Sequence, residues 1–165
     1  MLIVLSGLPG SGKTTLARAL AAGGAVHLRL DTVEQALVDA GVQTHPVGPA
    51  GYQVLRALAG DLLRQGRTVV ADTVNPLPLT RDLWRQVARD AGTGFRDVEV
   101  VCSDPARHEA RVRGRESDIP GWPQPTWEQV REWGFTPWTG ERLVLDTATA
   151  DPADLARAVL AGSVP

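Results

Sequence analysis

The sequence predicts an α/β protein: a parallel sheet with helices on both faces. Two observations predict it. Short apolar, strand-like runs alternate with helix-like segments along the whole chain, the pattern of strands joined by crossover helices. The first such run also leads straight into a glycine-rich turn that opens a helix, so a strand and a helix are joined by a loop suited to an anion.

Taken in order, Leu2-Ile3-Val4-Leu5 is a branched apolar run, as expected of a strand buried on both faces. Thr14–Ala22 is rich in strong helix formers and stops at Gly23-Gly24. Strands follow over Val26–Leu30, Thr68–Ala71, Val98–Cys102 and Leu143–Leu145. The intervening helices are predicted over Thr32–Ala40, Gly51–Gln65, Leu79–Ala91, Pro105–Arg115 and Pro152–Ala161. Pro49 suits a first helical turn, Ser103 or Asp104 caps the helix at Pro105, and Asp151-Pro152 reads as N-cap and first helical position. Trp84 falls in the apolar pattern of its helix and is assigned to the core. Ser117–Gly140 breaks the alternation, with Pro120, Pro123, Pro125 and Pro137 and four of the five tryptophans, around a short helix from Thr126 to Trp133.

Composition narrows the function classes. At 165 residues, 43% hydrophobic and 22% charged, the chain reads as one globular domain, residues 1–165. The net charge of −2 offers no basic excess for a long nucleic acid. The first apolar run is too short to span a membrane and has the flanks of a core strand, so no membrane partner and a cytoplasmic location are expected. Cys102 is the single cysteine, which excludes an internal disulfide, and its place at a strand end predicts a buried, inert thiol. His27, His45 and His108 have no metal-ligand spacing.

The loop after the first strand is the most specific feature. Gly7-Leu8-Pro9-Gly10-Ser11-Gly12-Lys13-Thr14 matches G-x-x-x-x-G-K-[ST] in full, and Lys13 is the only lysine among 17 basic residues. Arginine's planar fork makes paired, directional bonds, whereas a compact ammonium fits inside a tight loop and reaches the β- and γ-phosphates. The glycines let the backbone amides wrap a phosphate at the start of a helix, and Thr14 offers a hydroxyl for Mg²⁺. With the alternating elements, this resembles the three-layer P-loop NTPase fold, which implies strand order 2-3-1-4-5 and an arginine-bearing lid over about residues 111–125. ATP and Mg²⁺ are the expected cofactors.

In such a sheet, ligands gather beyond the carboxyl ends of the strands. Asp31 follows the second strand-like run; it can cap the next helix in a box with Glu34, or take the proton of an acceptor hydroxyl. Asp72 follows the third and fits a metal-supporting acid, although Asp72-Thr73-Val74-Asn75-Pro76 is also turn-rich. Asn75 is a candidate substrate contact, equally a turn residue. Arg107, Arg111 and Arg115 recur every four residues and share one face if the helix runs through them. Lid arginines there could neutralise charge on a transferring phosphoryl group, the alternative being a solvated face partnered by Glu109 and Glu116. The tryptophans either cover the site or pack the lid on the core.

These residues resemble the small P-loop kinases of the polynucleotide kinase, zeta-toxin and chloramphenicol phosphotransferase type, often described as AAA-family ATPases. The resemblance rests on Gly7–Thr15, Asp31, Val69–Pro76 and Arg111–Arg115. It implies a nucleotide held by Gly7, Pro9, Gly10, Ser11, Gly12, Lys13, Thr14 and Thr15, with Arg111 on the phosphates and the base near Asp146-Thr147-Ala148. It further implies catalytic roles for Lys13, Asp31, Arg111 and Arg115, metal support from Thr14 and Asp72, and acceptor contacts from Asp31, Asp72 and Asn75. Arg29 stands where shikimate- and gluconate-kinase-like chains often carry an acid, and Thr32 to Val38 lacks the arginine typical of polynucleotide kinases.

The reading that follows is an ATP-dependent phosphotransferase acting on a hydroxyl of a small molecule or nucleotide. A polynucleotide 5′-hydroxyl kinase, or an ATPase or nucleotide-binding protein without an acceptor, is the alternative. A GTPase switch is disfavoured, because its guanine-reading N-K-x-D needs a lysine and none remains.

Overall fold

The computed structural model describes residues 1–162. Its elements run β1 (Leu2–Ser6), α1 (Lys13–Ala22), β2 (Val26–Arg29), α2 (Leu30–Asp39), α3 (Ala50–Arg64), β3 (Val69–Asp72), α4 (Pro78–Asp90), β4 (Phe95–Val101), α5 (Pro105–Arg113), α6 (Trp127–Arg131), β5 (Leu143–Asp146) and α7 (Pro152–Ala161). The sheet is wholly parallel, in the order β2-β3-β1-β4-β5, as the sequence predicts. The register sets Leu5 of β1 and Arg29 of β2 on either side of Asp72. Three strands therefore end together, and the residues that follow them meet at one edge.

Side-chain alternation along β1 divides the core. Ile3 and Leu5, with Val70, Val98 and Val100, pack on Leu16 and Leu20 of α1 and Leu155 and Val159 of α7. Leu2 and Val4, with Val69 and Ala71, pack on Leu55, Ala59 and Leu63 of α3 and Trp84 and Val87 of α4. Both faces are covered, so the strands carry continuous apolar runs. Trp84 is fully buried, as its helical pattern predicts. None of the described helices is long and apolar enough to cross a membrane.

Several boundaries differ from the sequence pattern for physical reasons. α2 starts as soon as β2 ends, with Arg29 at the N-cap and no capping side chain, so Asp31 lies inside the first turn and forms no capping box with Glu34. α5 stops at Arg113, before Gly114, so Arg115 leaves the helical face predicted for Arg107 and Arg111. β4 begins at Phe95; its first turn of alternation includes Arg96 and Asp97, which hides it from a search for apolar runs. The predicted caps hold at Asp104, which accepts from Arg107 N at 3.1 Å, and at Asp151, which accepts from Ala153 N at 2.8 Å. The short helix in the proline-rich segment is Trp127–Arg131, closed by a Thr126–Gln129 capping box. Cys102 is half-buried rather than buried, because β4 ends one residue earlier.

Candidate active site

The glycine-rich loop is clamped between α1, α5 and the turn after β5. Gly12 is left-handed (φ 99°), and a Cβ there would stand 2.9 Å from Thr147 Cγ2. Gly10 is also left-handed (φ 80°), and its Cβ would meet Val112 Cγ2 at 2.5 Å. Glycine at these positions thus permits both the turn and the close approach of α5 and the β5 turn. His108 of α5 donates from Nε2 to Pro9 O at 2.8 Å, and Thr147 Oγ1 donates to Ser11 O at 2.8 Å. Lys13 opens α1, is only 8% exposed, and donates from Nζ to Leu8 O at 2.9 Å. Burial lowers its pKa to about 8, against the pull of Asp72 and Asp31. The Ser11 hydroxyl is buried with no protein partner, and the first amides of α1 have no intrahelical acceptor. A phosphate in the loop would satisfy both.

Two carboxylates face this loop and are pushed in opposite directions. Asp72, at the end of β3, is 4% exposed, with Oδ2 lying 3.1 Å from His27 Nε2. Burial pushes its pKa up, but the hydrogen bonds from His27 and Thr14 and the charge of Lys13 outweigh that and hold it below the usual carboxylate range. Asp31 lies 3.5 Å from Arg29 Nη2 and 3.8 Å from Arg115 Nη2. Burial raises its pKa, with Asp72 adding to the effect and Arg29, Lys13 and Arg115 opposing it. One acid is thus kept ionised beside a hydroxyl and a lysine, as a cation support requires. The other can accept a proton.

The arginines separate. Arg111 donates to Thr147 Oγ1 at 2.7 Å and Thr147 O at 2.9 Å, which ties it to the loop through Thr147. Arg115 lines the cavity at Asp31. Arg107 donates to Ala148 O at 2.5 Å, whereas Arg113 turns outward to Glu109 and Glu128 at 2.7 and 2.9 Å. The tryptophans divide as well. Trp122 and Trp133 line the cavity, while Trp127 packs edge-on against His108 and Trp138 lies 4.3 Å from the Arg81 guanidinium.

Asn75 is corrected from the sequence reading. It is fully buried, and its side chain is committed to Ser6 Oγ at 3.2 Å, Leu5 O at 3.4 Å and Trp84 Nε1 at 3.2 Å. Its left-handed backbone (φ 48°) makes the turn after β3, and it is not among the residues that line the cavity. Four residues to which the sequence reading gave no site role line the cavity or buttress its carboxylates. Arg29, His27 and Glu34 looked like ordinary strand and helix polar residues, and Asp118 was hidden in an irregular segment. Only the parallel register, which sets Arg29 opposite Asp72, could have flagged Arg29.

A single cavity of about 940 Å³ joins these parts, from Lys13, Thr14 and Asp72 at the loop, past Asp31 and Arg115, to a wall containing Val47, Tyr52 and Leu77. Among the described residues no group of three or more His, Cys, Asp or Glu side chains could hold a metal by itself. Thr14 and Asp72, both on the cavity lining, are the hydroxyl and carboxylate that a Mg²⁺ held mainly by substrate phosphates would need.

The family model described as an AAA domain matches residues 2–133. Among solved structures, a candidate kinase from Chloroflexus aurantiacus is 22% identical, with a TM-score of 0.75 over 97% of this chain and 96% of that one. The APS kinase of Mycobacterium tuberculosis, solved with AMPPNP and APS, is 20% identical, with a TM-score of 0.67 over 97% and 95%. A gluconokinase from Sinorhizobium meliloti is 21% identical, with a TM-score of 0.62 over 97% and 89%. With its phosphate-type loop, its 2-3-1-4-5 parallel sheet and this match, the chain belongs to the AAA domain family and has the kinase-like P-loop fold.

Proposed function

We propose that this protein is a kinase that transfers the γ-phosphoryl group of Mg-ATP to a hydroxyl of a small molecule or nucleotide. The observation that carries the reading is the position of Asp31: a carboxylate with a raised pKa faces the same cavity as Lys13, Thr14 and Asp72. A nucleotide-binding module would need the loop but not a poised base beside it.

The chain's own residues divide the work. Lys13 and the loop amides of Gly10, Ser11 and Gly12 hold the β- and γ-phosphates, and Arg111 and Thr147 flank the nucleotide on the α5 side. Thr14 and Asp72 would hold Mg²⁺, which would supply charge neutralisation when bound. Asp31 Oδ accepts the proton of the acceptor hydroxyl as that oxygen bonds to the γ-phosphorus and the bond to the bridging oxygen breaks, leaving ADP and a phosphate ester. Arg115 stabilises charge on the transferring group, and Trp122 and Trp133 keep bulk water from it. ATP as donor implies a cytoplasmic setting and a small-molecule partner.

Transfer of label from γ-labelled ATP to a panel of alcohols, nucleosides and 5′-hydroxyl oligonucleotides tests this. The expected result is labelled acceptor with wild type and none with Asp31→Asn. Hydrolysis alone, equal in wild type and Asp31→Asn, would overturn it.

A further inference from the structure

We propose that the phosphoryl acceptor is an alcohol with ring or hydrocarbon bulk and no negative charge, anchored by Glu34. This rests on the kinase reading above and goes beyond it to the chemistry of the second substrate.

The cavity continues well past Asp31. Its volume of about 940 Å³ stands at the upper end of the ~300–1,000 Å³ range of sites that enclose drug-sized molecules. Beyond the reacting carboxylate its wall is built mainly from Leu30, Val47, Tyr52, Leu77, Trp122 and Trp133, with a few neutral polar side chains and His45 set among them. Flat rings and branched hydrocarbon of this kind bury an apolar body, and the few polar groups among them suit hydroxyls or carbonyls on it.

Charge points the same way. Among the described lining residues, lysine and arginine are represented by Lys13 and Arg115 alone, and both stand at the phosphate end. Arg29, which stands 3.5 Å from Asp31, is turned to Asp118 at 2.8 Å. The acceptor end instead holds Glu34, to which no described side chain is hydrogen-bonded or ion-paired. Its position is fixed by packing: a Cβ on Gly51 of α3 would stand 2.5 Å from Glu34 Cγ. Burial, with the charge of Asp31, raises its pKa to about 7. It can therefore receive an ammonium when ionised, or donate to a carbonyl or hydroxyl when protonated. A phosphate, sulfate or carboxylate on the acceptor would enter a mostly apolar wall beside Glu34 with no lysine or arginine to meet it, an arrangement that disfavours binding.

Three probes share one phenyl-carbinol skeleton and differ only in charge: phenylglycol is neutral, phenylethanolamine cationic and mandelate anionic. Their binding to the full chain, saturated with a non-hydrolysable ATP analogue, is read by quenching of tryptophan fluorescence, and label transfer from ATP is measured separately. The expected result is that phenylglycol, phenylethanolamine or both bind about tenfold or more tighter than mandelate. Glu34→Gln then weakens phenylethanolamine selectively if its ammonium meets the carboxylate, and leaves phenylglycol the tighter ligand if a neutral alcohol is preferred. Glu34→Arg should shift the preference toward mandelate. Leu77→Arg, at a half-exposed position of the same wall, should do so without disturbing α2. Mandelate binding equally or more tightly in wild type, or no binding by either non-anionic probe, overturns the proposal while ATP-analogue binding still supports the loop assignment. Charge-selective binding without label transfer to any alcohol leaves this pocket chemistry standing and defeats the kinase reading instead.

Discussion

Nη1 of Arg29, at the end of β2, donates to both carboxylate oxygens of Asp118, at 2.8 and 3.0 Å, across 89 residues of chain. Arg18 of α1 also pairs with Asp118. The proline-rich segment is thereby pinned over the carboxyl end of the sheet. The same arginine stands 3.5 Å from Asp31, so the pin and the proposed base share one guanidinium.

Removing Asp118 should therefore change the chemistry more than the stability. Asp118 is about half-exposed, and pairs of that kind contribute roughly 0.2–1 kcal/mol. Arg29 is nearly buried, with an unpartnered Nε, and in Asp118→Ala its remaining acid is Asp31. A closer Arg29 lowers the pKa of Asp31. The acid limb of kcat/KM should move to lower pH, and kcat should fall by a few-fold to about tenfold as the base weakens. A pH–rate profile checks this. An unmoved acid limb would leave Asp118 with a purely mechanical role.

Asp31→Asn should abolish transfer by about 10²–10⁴-fold, with ATP affinity retained. It should also stabilise the fold. The folded-state pKa of Asp31 is raised, so the native state favours the protonated form and ionisation costs stability as pH rises through that pKa. At neutral pH the variant escapes this cost. The variant's Tm at neutral pH should therefore lie above that of wild type. The gain should vanish at pH below the unfolded carboxylate's pKa, where both forms are neutral. Calorimetry across pH reads both features, and a lower Tm for the variant at neutral pH would contradict the sign of the shift.

Lys13 sets the alkaline side. Its pKa of about 8 in the free protein means that the ammonium is lost as pH rises through that value. kcat/KM for ATP should then fall above pH 8, while kcat, measured with phosphates bound, holds to higher pH. Lys13→Ala should weaken ATP binding by about 10–100-fold, the value of a charge-assisted hydrogen bond. Lys13→Arg should not rescue it, because Nζ sits inside the loop 2.9 Å from Leu8 O and a planar fork cannot occupy that space. Calorimetric titration with an ATP analogue separates these cases.

How much of this was legible in the sequence follows from how local each signal is. The loop, the alternation and the strand-end aspartates are contiguous patterns, so the sheet, Lys13, Thr14, Asp31 and Asp72 could be read directly. Arg111 and Arg115 were found as a charge repeat, but their separation depends on α5 stopping at Gly114, a boundary that helical spacing does not reveal. Arg29–Asp118 and His27–Asp72 join residues 89 and 45 apart; the parallel pairing of β2 with β3 brings the second pair together, and the path of the irregular segment after α5 brings the first. The tryptophan segment was opaque because its two roles alternate along one irregular stretch: Trp122 and Trp133 face the cavity, and Trp127 and Trp138 face the body.

Asn75 offers the clearest test of that distinction between site and scaffold. Its amide group serves Ser6, Leu5 and Trp84, its main-chain N–H donates to Tyr52 OH at 3.3 Å, and its carbonyl accepts from Arg81 Nε at 3.0 Å. Asn75→Ala leaves the buried Trp84 N–H without a partner and places a Cβ-bearing residue without local bonds in a left-handed turn. These two effects together should cost about 2–4 kcal/mol. Asn75→Asp keeps the acceptor for Trp84 but loses the donor to Leu5 and buries a charge, so it should be no milder. Urea unfolding measures the loss. Because the side chain is fully buried, the acceptor KM of the folded fraction should stay within about twofold of wild type. A large rise in KM with unchanged stability would return Asn75 to the acceptor site.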